Sequence, residues 1–258
     1  MRLPRLRTSL AAAAVLAGSA SLGACAYNEA LGRSQVLLVD EGQLAQAAAS
    51  AWSQTLSRQR VSDDPTLNRR VRDVGSRLVQ AAGVGGQTWE YRVFESDQPN
   101  AFVLPGGRVG VNTGLFKVVQ NDDQLAAVLG HEIAHGTLRH ASERYSQTQL
   151  AQVGLGVAQS AAGRGSPNVA RAISTFGGAG AQLGYLLPFS RQHELEADRI
   201  GVDYMAKAGF RPSQAVQLWR NMAAQATRSG APQFMSTHPS DATRIQQLEA
   251  YISSRGYS

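Results

Sequence analysis

"LGHEIAHGTLRH", residues 129–140, packs three of the chain's five histidines and a glutamate into one short stretch. His131 and His135 stand four apart, so on a helix they share one face about one turn apart, with Glu132 beside them. The surrounding residues support a helix: Asn121-Asp122-Asp123 offers an N-cap, and from Gln124 to Leu138 the only ionisable residues are His131, Glu132 and His135. A helix that is apolar all round is a buried helix. Burying a carboxylate and two imidazoles without partners is costly, and a metal ion is the economical partner. The HExxH spacing therefore predicts zinc bound by His131 and His135, with Glu132 within reach of a zinc-bound water.

A zinc centre needs a third protein ligand. His140 lies five residues beyond His135, which on a continuous helix turns it about 140° away from the metal face. It is expected as a surface or capping residue. The metzincin pattern requires glycine at 138 and histidine at 141, where this chain has Leu138 and Ala141. The best donor lies in "RQHELEADRIG", residues 191–201, where Glu194 and Asp198 are four apart on one face. His193 and Glu196 compete in the same segment, but Glu196 sits roughly 200° around from Glu194, so the two cannot face one ion.

The remaining elements arrange themselves around these two helices. Leu44, Ala48, Trp52 and Leu56 recur at helical spacing, and Asp64-Pro65 caps a second helix whose stripe is Leu67, Val71, Val74 and Leu78, ending at Gly83. "TWEYRVFES" (88–96) and "NAFVLPGGRVGVNTG" (100–114) carry β-branched and aromatic residues around the turn Pro105-Gly106-Gly107. They predict a small antiparallel sheet of about three strands. Helices are expected over 191–207, after Pro212, and from about Ser240. Residues 150–188 are rich in Ala, Gly, Ser and Gln, too polar for a membrane span, and are read as a loop or loosely packed helices.

The first 24 residues differ from the rest: Arg2, Arg5 and Arg7, an apolar run from Leu10 to Ala17, then Leu22-Gly23-Ala24-Cys25. This is the pattern of a secretory signal ending in a stretch that resembles the lipobox of bacterial lipoproteins, with Cys25 as the lipidated residue. Cys25 is the only cysteine, so no internal disulfide forms. Several acyl chains, as such lipoproteins carry, would anchor it firmly. Ala26 rather than Asp after the cysteine points, by resemblance to enterobacterial sorting, to the outer membrane facing the periplasm. Loss of residues 1–24 lowers the formal charge from +6 to +3, so the basic character implies no nucleic-acid partner.

HEIAH at 131–135 followed by ELEAD at 194–198 resembles the gluzincin family of the HtpX proteases, CAAX prenyl endopeptidases and mitochondrial Oma-type proteases, peptidase family M48, especially its periplasmic lipoprotein members. The resemblance spans nearly all of residues 31–252. It implies an α+β, mainly α, gluzincin-type zincin with the small sheet packed on the HExxH helix. It also implies Glu194 as third zinc ligand and Asp198 as the partner orienting His131 or His135. "NAFVLPGGRVGVNTGLF" (100–116) is similar to the family's strand bordering the active site, which implies substrate adding as an extra strand at Asn100, Ala101 and Phe102. "LGRSQVLLV" (31–39) resembles the segment following the lipidated cysteine. "STHPSDATRI" (236–245) resembles a C-terminal segment whose histidine and arginine approach the metal, implying that His238 and Arg244 stabilise the oxyanion.

Together these imply a signal peptide at 1–24, a lipidated tether at 25–42 and a peptidase domain at 43–258. The expected activity is zinc-dependent endoproteolysis, one zinc per chain, on unfolded or misassembled proteins at the periplasmic face of the outer membrane, with a periplasmic protein as a possible partner. The rival is a lipid-anchored chaperone or assembly factor that seldom cuts. His238 has a second expected role, as an imidazole that fills the vacant zinc position and shuts the enzyme off.

Overall fold

The computed structural model describes residues 25–162, 190–229, 233–238 and 242–258. The signal at 1–24, and the part of the 150–188 stretch beyond Ala162, lie outside the described residues. Among the described residues no helix is long and apolar enough to cross a membrane.

A buried helix, α3 (Asp122–Thr137), forms the axis, as the sequence implied. The Asn121 carboxamide oxygen accepts from the Gln124 amide at 2.9 Å, and every residue from Gln124 to His135 is buried. Around it pack α1 (Glu41–Arg58), α2 (Pro65–Ala81), α4 (His140–Ala162), α5 (Arg191–Lys207), α6 (Ser213–Ser229), α7 (Gln233–Thr237) and α8 (Ala242–Ser254). Asp40, Asp64 and Ser190 cap α1, α2 and α5 through their side chains, and Pro65 occupies the first turn of α2. Val71, Val74 and Leu78 of α2 join Leu129, Met205 and Met222 in the main core.

The fold class is α+β and mainly α, with one three-stranded sheet of β3 (Glu90–Phe94), β4 (Ala101–Leu104) and β5 (Arg108–Asn112) against α3. The strand order is β3-β5-β4. β4 and β5 form the expected antiparallel hairpin, turning through Gly106 and Gly107 at positive φ. β3, expected to be antiparallel as well, pairs parallel with β5. The connection over residues 95–100 crosses the end of β5 instead of turning beside β3. It is pinned there by Gly114 N–H donating to Ser96 O at 2.7 Å and Asn112 Nδ2 donating to Gln98 O at 3.1 Å. A second cluster, Trp52, Phe94, Phe102 and Leu104, fastens α1 to the sheet.

Within residues 25–42, expected as a lipidated tether, residues 25–36 are folded back on themselves. β1 (Cys25–Asn28) and β2 (Arg33–Val36) form an antiparallel hairpin turning through Gly32 at φ 65°. Its Gln35 is buried and donates to Leu138 O at 2.9 Å and to Glu143 Oε2 at 2.7 Å, which fixes the hairpin to the junction of α3 and α4.

Helices α3 and α5 touch backbone to backbone at Gly130 and Gly201. A Cβ added at Gly201 would stand 2.9 Å from His131 N and 3.0 Å from Gly130 C. Backbone cannot yield as a flexible side chain does, so the two helices would have to part. Gly201→Ala should therefore destabilise the protein by about 1–3 kcal/mol and loosen the site that α3 and α5 share. Chemical denaturation of the two proteins in parallel measures it.

Candidate metal centre

The crossing of α3 and α5 faces His131 and His135 toward Glu194, and His238, the residue after α7, lies beside them. One ligand atom from each of these four buried residues lies within 4.8 Å of the other three. His131 Nε2 is 3.0 Å from His135 Nε2 and 3.2 Å from His238 Nδ1, and Glu194 Oε1 is 3.0 Å from His238 Nδ1 and 3.4 Å from His135 Nε2.

The donor chemistry fits a divalent ion. His131 Nδ1 meets Asp198 Oδ1 at 2.8 Å, and since an ionised carboxylate only accepts, the ring proton sits on Nδ1. That leaves Nε2 of the neutral ring as a lone pair pointing at other ring nitrogens. Three inward ring nitrogens and a carboxylate oxygen, all within 4.8 Å of one another, can turn their lone pairs on one shared cation. Three imidazoles and a carboxylate form a nitrogen-rich set with zinc's preferences.

Asp198 stands where the resemblance implied, orienting His131. Arg244 does not. Expected at the oxyanion, its guanidinium instead donates Nε to Asp198 Oδ2 at 2.6 Å and Nη2 to Asp198 Oδ1 at 2.8 Å, while Nη1 is 2.6 Å from Glu194 Oε2. It lies over the Trp219 ring at 4.0 Å and is 2% exposed. Two buried carboxylates thus occupy it, and it braces the ligand and the orienting group. His238 is drawn into the donor set through Nδ1, and its Nε2 is 3.1 Å from Glu132 Oε1.

Burial raises the Glu132 carboxyl above the ordinary range, opposed by the charges of His238 and His131 and by a hydrogen bond from the Val103 backbone. This last contact corrects the substrate-side expectation. β4 is an edge strand among the described residues, and Asn100 O accepts from Asn112 N–H at 2.9 Å. Strand backbones alternate in direction, so 100, 102 and 104 bond toward β5 while Ala101 and Val103 point outward to α3. Of Asn100, Ala101 and Phe102, only Ala101 offers its backbone to the site. Phe102 packs its ring with Trp52 and Phe94.

His140, expected at the surface, is fully buried, with Nδ1 2.9 Å from His135 Nδ1 and Nε2 3.1 Å from Glu196 Oε2. The helix does not run through it. α3 ends at Thr137, Arg139 takes φ 59°, and α4 begins at His140, so the chain folds back and the 140° offset no longer applies. Glu196, which stands outside the donor set, and Glu143 together clasp Arg33, and His193 stacks on His140 with centroids 4.5 Å apart. Arg144 of α4 is buried in the field of Glu194 and Glu132, and burial brings its guanidinium down to about 10. The sequence singled out none of Arg33, Glu143, Arg144 or Val103. The only signal was a second histidine and an extra glutamate in segments already marked.

Comparison with known proteins agrees with this geometry. The model of peptidase family M48 matches residues 65–252. The chain is 38% identical over 177 residues to the mitochondrial metalloendopeptidase OMA1 of Schizosaccharomyces pombe, covering 68% of this chain and 50% of that protein. To the Saccharomyces cerevisiae OMA1 it is 32% identical, covering 79% and 61%. To the beta-barrel assembly-enhancing protease of Escherichia coli it is 32% identical, covering 71% and 38%. The chain thus spans less than two thirds of the length of each of these relatives.

Burial disfavours the charged ring of His131, but Asp198 and Glu194 outweigh it and raise the group to about 9. Without an ion, then, His131 holds a proton below that pH, and an incoming metal must displace it. Apparent metal affinity should rise about tenfold per pH unit from about pH 7 until it levels near pH 9. The metal-free protein runs the other way. The raised pKa adds stability that is full below the unfolded value of 6.5 and is lost as pH climbs through about 9. Chelator competition and thermal melts of the metal-free protein over that range check both signs.

Proposed function

The chain belongs to peptidase family M48, and from that premise we propose that it is a zinc-dependent endopeptidase whose metal is held by His131, His135 and Glu194. The observation that carries this reading is the convergence of those donors with His238 in one buried cluster beside Glu132. Zinc, when bound, supplies a Lewis acid and water made acidic enough to attack a peptide carbonyl at neutral pH. Glu132 takes the proton from that water and returns it to the departing amine. The raised pKa of this buried carboxyl suits it to hold a proton between the two steps. Val103 N–H, on the edge strand, keeps the carboxylate aimed at the site. Substrate lies extended along the outer edge of β4, where the backbone of Ala101 and the carbonyl of Val103 pair with it as a further strand, the Val103 N–H being kept by Glu132.

His238 carries two roles in this reading. In the closed arrangement its Nδ1 stands among the donors that would hold the ion and would compete with water for it. With the ring swung aside, the site would open, and the Nε2 that in the closed arrangement stands 3.1 Å from Glu132 Oε1 would be free for the developing oxyanion. The closed arrangement is also the one observation that favours the rival, a chaperone or assembly factor that seldom cuts.

The cellular setting belongs to the same proposal. Cys25 is exposed at the start of β1, accessible for acylation, and relatives include a protease named for β-barrel assembly. We read the chain as a lipoprotein on the periplasmic face of a bacterial outer membrane that acts on unfolded or misassembled proteins.

Glu132→Gln should reduce peptide hydrolysis by about 10²–10⁴-fold while leaving zinc content unchanged. Casein cleavage with elemental analysis tests this. If cells lacking the protein are rescued equally well by the variant, the chaperone reading replaces the peptidase. His238→Ala should raise basal cleavage roughly tenfold if the open form is about a tenth of the population. A fall in rate at constant zinc content would instead make His238 only an oxyanion group.

A further inference from the structure

The second ligand, His135, is oriented by a chain of contacts that leads out of the helical core to the N-terminal hairpin. A histidine that ligates through Nε2 keeps a lone pair there, so its ring proton is on Nδ1. His135 Nδ1 is 2.9 Å from His140 Nδ1, which must therefore accept. His140 then carries its own proton on Nε2, 3.1 Å from Glu196 Oε2, and donates it to that carboxylate. Glu196 is in turn held by Arg33, whose Nε reaches Oε1 at 2.6 Å and whose Nη2 reaches Oε2 at 2.7 Å. Glu143 clasps the other side of the same guanidinium, Nη1 to Oε1 at 2.7 Å and Nη2 to Oε2 at 2.9 Å. Every donor in this chain has an acceptor, and reversing any link would leave an N–H facing an N–H or His135 without its lone pair.

We propose that Arg33 is a positioning residue for the metal centre: through Glu196 and His140 it fixes the tautomer and direction of the His135 ring, which makes the N-terminal hairpin a working part of the site. This rests on the metal-centre reading above. Arg33 is 163 residues from Glu196 in sequence and 110 from Glu143, so its contacts exist only when the hairpin is docked. The fork suits arginine: two parallel N–H bonds hold each carboxylate in a plane, which a lysine cannot do.

The test uses the full chain, with zinc affinity from chelator competition and the absorption spectrum of the cobalt-loaded protein. Arg33→Ala and His140→Phe should each weaken zinc binding by about 10–100-fold and shift the cobalt bands, as losses of partners behind a ligand do. Glu196→Gln, nearly the same shape, should do so in the same direction and guards against misfolding of the larger changes. Arg220→Ala, which breaks an exposed pair between α6 and Glu249 of α8, is the control and should leave both readouts unchanged. The deciding variant is the double change. If Arg33 acts through His140, adding Arg33→Ala to His140→Phe weakens zinc no further. Effects that multiply, or single variants with wild-type affinity and spectrum, would overturn the proposal and leave the hairpin a packing element. A wild-type protein that takes up no ion would overturn the metal-centre reading itself, and this inference with it.

Discussion

The contact on which the site depends is the crossing of two helices at glycine. Gly130 directly precedes His131, and Gly201 lies two turns after Glu194. With no Cβ between them, α3 and α5 come close enough for short side chains to meet: a histidine from one helix, a carboxylate from the other, and no spacer residue. A zinc ligand set tolerates little variation in length, since the metal–ligand bonds are near 2 Å. Helices at ordinary packing distance, about 8–10 Å between axes, would leave Glu194 to reach farther and with more freedom. The glycine pair thus turns a sequence separation of 63 residues between the first histidine and the carboxylate into one compact donor set.

What sits at that crossing is an accumulation of charge without solvent. Glu194, Asp198 and Arg244 are each 5% exposed or less, and so are the three histidines of the donor set. Ions buried without partners cost several kcal/mol apiece, and removing one partner of such a set leaves an uncompensated charge. Arg244 neutralises one carboxylate's worth of that burden, and its guanidinium lies over Trp219, whose ring face favours a cation. The second carboxylate and the inward lone pairs would be matched by a divalent ion. Arg244 is better understood as the fixed counter-charge of the pocket than as a group waiting for substrate.

The sequence made the ligands legible because helical periodicity is local. His131, His135, Glu194 and Asp198 could be paired by spacing on two helices, and the geometry keeps them so. His140 was misread because the same rule was carried past the end of the helix: "TLRH" has no glycine or proline to announce the break, and it is Arg139, a non-glycine residue at φ 59°, that turns the chain. The parallel pairing of β3 escaped for a different reason. Strand residues were evident, but their order depends on a connection crossing the end of β5, and no residue type marks that path. The hairpin at 25–36 was read as a tether because its stabilising partners, Leu138, Glu143 and Glu196, lie more than a hundred residues away.

Behind the two histidine ligands the same arrangement appears twice, at different lengths. His131 reaches a carboxylate, Asp198, directly, and that carboxylate ends on Arg244 from the C-terminal helix. His135 reaches a carboxylate, Glu196, through the added imidazole of His140, and that carboxylate ends on Arg33 from the N-terminal hairpin. Each ligand is therefore oriented by an acceptor that is itself held in a fork of guanidinium bonds. The difference is where the fork is anchored. Asp198 and Glu196 both ride on α5, two residues apart and hence on opposite sides of it, so one helix supplies both acceptors and faces one toward each end of the chain. The metal centre is thereby closed by segments from both termini, and neither the HExxH helix nor its partner holds the ligand rings in place alone.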